Sequence, residues 1–193
     1  MFNVGDKIVH PMHGAGTISA IEEKNIGNET EEYYIISMPG EVKVMVPIAK
    51  AEQIGVRNII AESEVSKVFE ILEEDETEMS NNWNKRYRDN MDKMRSGNVY
   101  EVADVVRNLS FKQKEKGLST GEKKMLNNAK QILVSELVLA EHSSKEEIEQ
   151  IVENKIAMSF KENRMPQEDV SPISKNIVSK FIPFEGTGTS ENL

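Results

Sequence analysis

The stretch Val42-Lys43-Val44-Met45-Val46-Pro47 has the clearest strand pattern in this chain of 193 residues, and it decides the fold of the first third. Its valines recur at every second position, and Pro47 ends the run. Because side chains alternate between the two faces of a strand, this spacing places the valines on one face and Lys43 with Met45 on the other. The pattern predicts a β-strand with one buried side and one side that exposes Met45.

Three further strands are predicted before this one. They are expected at residues 4–9, 16–22 and 32–37, with Gly27-Asn28 as a hairpin turn between the last two. A single helical turn is expected at residues 48–53. Short strands separated by a turn about every 8–12 residues indicate a small, strongly bent sheet or barrel.

After residue 60 the apolar period changes from two to about 3.6 residues, which predicts helices. The first helical stripe begins after Ser63, and the acidic run at residues 73–78 is expected to be a linker or an exposed helix end. A second helix ends at Gly97-Asn98. Its apolar side chains recur at steps of three and four residues and are expected to form one stripe: Trp83, Tyr87, Met91 and Met94.

Two capping boxes predict where later helices begin. Ser119 with Glu122, and Ser144 with Glu147, have the spacing in which a serine caps the helix and a glutamate three residues on reaches back. The last helix is expected to end near Met158.

The pattern as a whole predicts an α+β protein, in which a small N-terminal β-barrel precedes a C-terminal all-helical domain. The expected bounds are residues 1–60 for the barrel and 61–158 for the helices. Residues 159–193 are interrupted by three prolines and end in a Gly- and Thr-rich segment. This composition predicts a disordered tail.

Composition excludes several classes of protein. The chain is 38% hydrophobic and contains no cysteine, which excludes disulfides and cysteine-ligated zinc and suits a cytoplasmic location. No run approaches the roughly 20 apolar residues of a membrane span, so no membrane partner is expected. The N-terminus lacks the basic and apolar regions of a secretory signal.

Nothing in the chain points to catalysis. His10 and His13 are three residues apart across Pro11, but a metal site would need more ligands than the chain offers nearby. The glycines at Gly14-Ala15-Gly16 lack the lysine and hydroxyl residue of a phosphate loop, and no serine stands in a nucleophile-elbow context. We therefore predict no enzyme activity, catalytic residue, metal or cofactor.

Charge is strongly segregated along the chain, although the net charge is −9. Residues 83–130 have 12 basic and 6 acidic side chains, whereas residues 61–82 have 1 basic and 8 acidic. Because nucleic-acid binding depends on the local field, only residues 83–130 are a candidate nucleic-acid surface. The acidic segment before it is expected to face solvent or protein.

Trp83, the single tryptophan, opens this basic segment. Cations hold phosphates, and an aromatic ring can stack on a base or wedge between base steps. The alternative, a tryptophan packed at a helix start among solvated charges, stays open on spacing alone. The candidate DNA-binding residues are Trp83, Lys85, Arg86, Arg88, Lys112, Lys123 and Lys124.

Four stretches in order along the chain match a known family. They are VGDKIVHPMHG at residues 4–14, Val46-Pro47 with Gly55-Val56-Arg57, NWNKRYR at residues 82–88 and KGLSTGEKKML at residues 116–126. Over roughly residues 1–157 the chain resembles the CarD family of bacterial transcription regulators. The resemblance implies a Tudor-like barrel that docks on the lobe of the RNA polymerase β subunit, and a monomeric protein found with polymerase at the nucleoid.

The resemblance also implies roles for particular residues. Trp83 would enter the minor groove at the upstream edge of the transcription bubble, near the −10 element, and so stabilise the open complex. The DNA-backbone cations of the family map to Arg88, Lys112 and Lys123. Two family arginines that contact polymerase map to Lys24, which keeps the charge without the planar fork, and to Met45, which departs from the pattern.

Lys43 and Pro47 on the same strand as Met45 complete the predicted polymerase-binding set. Two readings from other classes of protein stay open on the residues alone. One is an architectural DNA-binding protein that needs no polymerase. The other is a protein-only adaptor whose basic helices face an acidic partner.

Overall fold

Five strands precede five long helices in the part of the chain that this computed structural model describes, residues 1–26 and 29–162. The strands are β1 (Lys7–His10), β2 (Gly14–Ile26), β3 (Glu29–Ser37), β4 (Lys43–Pro47) and β5 (Arg57–Asn58). A 3-10 turn (Ile48–Lys50) and a short helix α1 (Ala51–Ile54) lie between β4 and β5. The long helices are α2 (Glu62–Glu73), α3 (Trp83–Arg95), α4 (Val99–Glu115), α5 (Thr120–Glu141) and α6 (Lys145–Glu162).

The strands form one antiparallel sheet in the order β4-β3-β2-β1-β5. The four predicted strands are confirmed, and so is the helical turn before Gly55; the predicted hairpin turn at residues 27–28 lies outside the described residues. The sheet is open rather than a closed barrel, because no ladder joins β4 to β5 in the described part of the chain. The α+β class is confirmed.

The inner face of the sheet buries a small apolar core. Alternate residues of β3 and β4 point into it, including Tyr34, Ile36 and Val46, which is the face that the valine spacing predicts. Val44 is only partly buried there, and the prediction is wrong for Val42, which precedes β4 and is 56% exposed. Met45 lies on the opposite face and is 55% exposed, as the alternation predicts.

The helices enclose a second and larger apolar core. Its fully buried side chains come from α2, α3, α4, α5 and α6 and include Val68, Met94, Leu109, Leu133 and Ile148. Both predicted capping boxes are present, at Ser119 with Glu122 and at Ser144 with Glu147.

Helix α6 runs to Glu162, beyond the predicted end near Met158. The added turn packs on the core, because the Phe160 ring lies edge-on to Phe111 at 5.4 Å and the Ser159 hydroxyl donates to the Glu74 carbonyl at 3.1 Å. Residues 159–162, predicted to begin the disordered tail, are therefore helical, and the rest of the predicted tail, residues 163–193, lies outside the described residues.

The buried face of α3 differs from the predicted stripe. Arg86, Asn90 and Met94 are buried, whereas Trp83 is 44% exposed and Tyr87 is only half-buried. Polar side chains can occupy a core position when their hydrogen bonds are satisfied, and Arg86 meets this condition. The buried face of α3 therefore includes Arg86 and Asn90, and Trp83 is exposed at the first position of the helix.

A polar seam joins the sheet to α5. The Ala15 amide donates to the Ser135 hydroxyl at 2.8 Å, and the Lys7 ammonium donates to the Leu139 carbonyl at 3.1 Å. The Arg57 guanidinium makes two bonds to the buried Glu136 carboxylate, at 2.6 and 2.9 Å. The sheet and the helices are thus connected by direct contacts as well as by the chain.

Candidate nucleic-acid interface

Trp83 stands at the first position of α3 and touches the first turn of α5. Its ring stacks on Tyr87 with centroids 5.4 Å apart and an interplanar angle of 27°. Its indole Nε1–H donates to the Ser119 hydroxyl at 3.0 Å. A Cβ on Gly121 would lie 3.5 Å from the indole Cζ2, so the α5 backbone passes directly beside the ring. The remaining surface of the ring faces solvent.

Two helix N-termini meet at this tryptophan. Asn82 caps α3 by accepting from the Lys85 amide, and Ser119 caps α5 by accepting from the Glu122 amide. Free N–H groups and the helix dipole make each N-terminus partly positive, which favours phosphate groups. No acidic side chain lies in the first turn of α3.

The exposed cations near Trp83 come from both helices. Lys85 and Arg88 follow it on α3, and Lys123 and Lys124 lie in the first turns of α5. All four side chains are exposed and none has an ion-pair partner within the described residues. Lys112 lies in the last turn of α4, and its ammonium is 3.5 Å from the Gly117 carbonyl. These five predicted residues therefore lie on α3, which begins at Trp83, on the first turns of α5, which is capped by its partner Ser119, and on the last turn of α4.

Arg86 is the exception among the predicted DNA-binding residues. Its side chain is 10% exposed, its Nε donates to the buried Glu122 carboxylate at 2.8 Å, and its Nη1 donates to the Ser80 carbonyl at 2.7 Å. A buried guanidinium that is hydrogen-bonded inside the protein is not available to a ligand outside it. We therefore leave Arg86 out of the candidate interface.

Glu122 links this ion pair to the tryptophan. Its carboxylate accepts from the Ser119 amide at 3.0 Å and from the Ser119 hydroxyl at 2.8 Å. Burial raises the pKa of the Glu122 carboxyl, but the hydrogen bonds from the Ser119 backbone, Arg86 and the Ser119 hydroxyl outweigh burial and hold the pKa below its usual value. Glu122 is therefore ionised at neutral pH.

Other basic residues of the segment 83–130 are neutralised inside the helical domain. Arg107 is fully buried and pairs with Glu74 and Asp104, and Lys93 pairs with Asp104 at 2.5 Å. These pairs offset two of the basic side chains, whereas Lys85, Arg88, Lys123 and Lys124 stay exposed on α3 and α5.

The predicted polymerase-binding residues share the outer face of the sheet. On β4, Lys43, Met45 and Pro47 pair with Ser37, Ile35 and Tyr33 of β3. Lys24 of β2 pairs with Glu31 on the same face. Lys43 and Met45 are exposed and Pro47 is half-buried, whereas the β3 neighbours Tyr33 and Ile35 are buried. Met45 therefore supplies exposed apolar surface on this face.

Charge on this surface is locally balanced. The Lys24 ammonium lies 2.5 Å from the Glu22 carboxylate. The hydrogen bond from Lys24, then its charge and that of Lys43, lower the pKa of Glu22. The surface therefore offers a mixed polar rim around Met45 rather than a single strong charge.

Three features of the candidate interface and of the contacts between the sheet and α5 could not be predicted from the periodicity of the sequence. The pairing of Arg86 with Glu122 and that of Arg57 with Glu136 join residues far apart in the chain, so no local spacing points to them. The third is the hydrogen bond between Trp83 and Ser119. The capping-box spacing marks Ser119 as a helix start, but nothing in it signals a second donor.

The two histidine rings of the β1–β2 turn contact each other at an interplanar angle of 49°. The ring centroids of His10 and His13 are 4.5 Å apart, and burial and then His13 lower the pKa of His10. In the described part of the chain, no three His, Asp or Glu residues are grouped so that they could hold a metal ion. Nor does any described helix have the length and apolar composition needed to cross a bilayer.

Comparison with known proteins matches the strands and the helices separately. Residues 2–60 match the CarD-like/TRCF RID domain, and residues 67–153 match the CarD C-terminal domain. The chain is also similar to the candidate transcription factor YdeB of Bacillus subtilis (strain 168). The identity is 42% over 138 residues, which cover 71% of this chain and 90% of that protein.

Proposed function

Because this chain belongs to the CarD family, we propose that it binds the β subunit of RNA polymerase through its sheet and stabilises the open promoter complex through its helices. Membership in the family supports a role in transcription regulation. The docking surface is the outer face of β2, β3 and β4 around Met45, and its target is the β lobe. The DNA-contacting end is the cluster around Trp83, and its target is promoter DNA near the −10 element.

One observation carries the proposal: a half-exposed tryptophan joins the N-termini of α3 and α5, and both helices have exposed cations without an ion-pair partner among the described residues. The cations suit phosphates of either strand, since phosphate contacts position a protein without reading sequence. The ring offers an apolar surface of the kind that inserts between base steps. Together these features suit a distorted or melted DNA edge better than a regular duplex.

The mechanism is a shift between two states of the promoter. A protein that binds the open state more tightly than the closed state raises the population of the open state by the ratio of the two affinities. A wedge with a few phosphate contacts supplies a difference of about 1–3 kcal/mol, or roughly 5- to 150-fold. Docking on polymerase raises the local concentration of the helical domain, so weak sequence-independent DNA affinity is sufficient.

The open-complex lifetime tests the DNA-contacting role. Trp83→Ala should shorten the lifetime on a purified promoter–polymerase complex by at least about 5-fold, because the wedge is lost. Ile151→Ala removes another exposed apolar side chain, on α6, and should leave the lifetime unchanged. An unchanged lifetime with Trp83→Ala would show that the tryptophan does not act on the bubble.

Polymerase capture tests the docking role independently. Met45→Glu places a charge at the apolar centre of the sheet surface and should abolish capture of purified polymerase, while the fold is retained because the side chain is exposed. Lys123→Glu should leave capture unchanged and weaken only the DNA-dependent effect. Equal capture by the wild type and Met45→Glu would rule out this face as the docking surface.

A further inference from the structure

The orientation of the Trp83 ring is fixed by the cap of another helix. The indole has a single hydrogen-bond donor, and that donor is used by the Ser119 hydroxyl at 3.0 Å. Ser119 at the same time caps α5 and donates to the Glu122 carboxylate at 2.8 Å. The ring is therefore tied to a hydroxyl whose own position is set by two further bonds.

The second layer of this arrangement is the buried ion pair. Glu122 is 2% exposed and Arg86 is 9% exposed, and the guanidinium is also bound to the Ser80 carbonyl. Arg86 lies on α3, the helix that begins at Trp83, whereas Glu122 and Ser119 lie at the start of α5. The pair thus fixes the start of α5 against the helix that carries the tryptophan.

Contacts with the faces and edges of the ring complete the arrangement. Tyr87 stacks on one side, and the backbone at Gly121 lies beside both rings, since a Cβ there would be 3.5 Å from Trp83 and 3.6 Å from Tyr87. The ring is 44% exposed in spite of these contacts. A large exposed side chain that is fixed in one orientation loses little conformational entropy when it binds.

We propose that Ser119, Glu122 and Arg86 are positioning residues that hold the Trp83 ring in its DNA-binding orientation before DNA arrives. This inference rests on the proposed function for its consequence at the promoter, but its structural part concerns the free protein. Because the indole N–H is already donated to Ser119, the ring meets DNA through its apolar surface rather than through a hydrogen bond to a base edge.

The chain offers a matched control for the test. Ser144 caps α6 through the same capping box, with bonds to Glu147 at 3.0 and 3.2 Å, and no tryptophan is bonded to it. Ser119→Ala and Ser144→Ala both remove a helix cap, but only Ser119→Ala removes the partner of the indole. Ser119→Thr keeps a hydroxyl and should restore the wild-type behaviour.

The first readout is fluorescence of the free, full-length protein. Trp83 is the only tryptophan, so the emission reports this ring alone. Ser119→Ala should lower the emission anisotropy and increase quenching by acrylamide, because the freed ring moves and exposes both faces. Ser144→Ala and Ser119→Thr should match the wild type. Identical quenching and anisotropy in Ser119→Ala and Ser144→Ala would overturn the positioning role.

The second readout is the open-complex lifetime. Ser119→Ala should shorten it roughly 2- to 10-fold, the effect of one lost neutral hydrogen bond, while Ser144→Ala leaves it unchanged. If Trp83→Ala shortens the lifetime and Ser119→Ala does not, the positioning role is overturned and the proposed function stands. If Trp83→Ala has no effect, the proposed function fails, and the fluorescence of the free protein still decides whether the ring is held.

Discussion

Arg86 and Arg88 are two residues apart on one helix, yet their surroundings are opposite. Arg86 is inside the protein with its guanidinium paired to Glu122, whereas Arg88 is exposed and has no ion-pair partner among the described residues. Both belong to the same basic run in the chain. Only burial distinguishes a residue that holds the fold together from one that is available to a phosphate.

Arg86→Ala should lower the free energy of unfolding by about 3 kcal/mol, because it leaves the buried Glu122 carboxylate without its charged partner. Arg88→Ala should change the free energy of unfolding by less than about 0.5 kcal/mol, since it removes only a surface side chain. Urea unfolding followed by circular dichroism measures both. Equal stability of the two variants would contradict the buried pairing.

The ionisation of Glu122 predicts a particular acid sensitivity. Its pKa in the folded protein lies below its ordinary value of 4.5, so the stability that it contributes is fully present above about pH 4.5 and is lost as the pH falls through the folded pKa. The stability difference between the wild type and Glu122→Gln should therefore be largest near neutral pH and shrink below pH 4.5. Stability curves that stay parallel down to about pH 3 would contradict this sign.

At the scale of single elements, periodicity predicts the strands and helices well where a helix or strand is long and one-sided. The valine spacing of β4 places Met45 on the exposed face, and the serine–glutamate spacings mark the starts of α5 and α6. Strand β5 has two residues, too few for any period, and only its pairing with β1 makes it a strand. Its existence depends on contacts that the local pattern does not encode.

The buried face of α3 could not be predicted for a different reason. Hydrophobic spacing places Trp83, Tyr87, Met91 and Met94 on one stripe and leaves the burial of Trp83 open, and of the four only Met94 is fully buried. The helix buries Arg86 and Asn90 instead, because their polar groups find partners on other elements. The partners lie 36 and 11 residues away in the chain, beyond the reach of any helical pattern.

The turn between β1 and β2 also constrains the packing of α5. Gly14 has φ +89°, and a Cβ there would lie 2.4 Å from the Ser135 hydroxyl and 3.2 Å from the Ile132 Cα. Gly40 has a similar φ of +79° but open space around it. A comparison of Gly14 with Gly40 therefore separates the effect of a positive φ from the effect of the contact between the turn and α5.

Gly40→Ala should destabilise the protein by about 1–2 kcal/mol through left-handed strain alone. Gly14→Ala should cost about 1–3 kcal/mol more, because the added methyl forces the turn away from α5. Thermal unfolding of the two variants measures the difference. Equal melting temperatures would show that the turn and the helix are not in close contact.

At the scale of the whole molecule, Arg57 connects three elements. Arg57 is the first residue of β5 and makes two bonds to Glu136 of α5. It also donates to the Gly97 carbonyl, between α3 and α4, at 2.7 Å. Glu136 is 1% exposed, and its carboxylate accepts hydrogen bonds from this partner and from the Ile60 amide. Arg57 therefore joins the sheet to α5 and to the turn between α3 and α4.

Arg57→Ala should therefore lower the free energy of unfolding by about 2–3 kcal/mol, somewhat less than for a fully enclosed pair because the guanidinium is partly exposed. Hydrogen exchange should rise at Ile60, whose amide shares the same carboxylate. Lys50→Ala, at an exposed position before α1, is the matched control and should change neither quantity. If Arg57→Ala lowers the stability no more than Lys50→Ala does, the pair of Arg57 with Glu136 does not stabilise the contact between the sheet and α5.

The seam between the sheet and α5 has a consequence for DNA geometry. With Ala15, Lys7 and Arg57 all bonded to α5, the sheet is held directly against the helices within residues 1–162. If the protein acts as proposed, these bonds limit changes in the distance between the docking surface around Met45 and Trp83. A slip of one base pair moves DNA by about 3.4 Å along its axis, close to the thickness of an aromatic ring. A protein that keeps this distance constant would contact the melted edge in one register of the DNA and lose contact in the next.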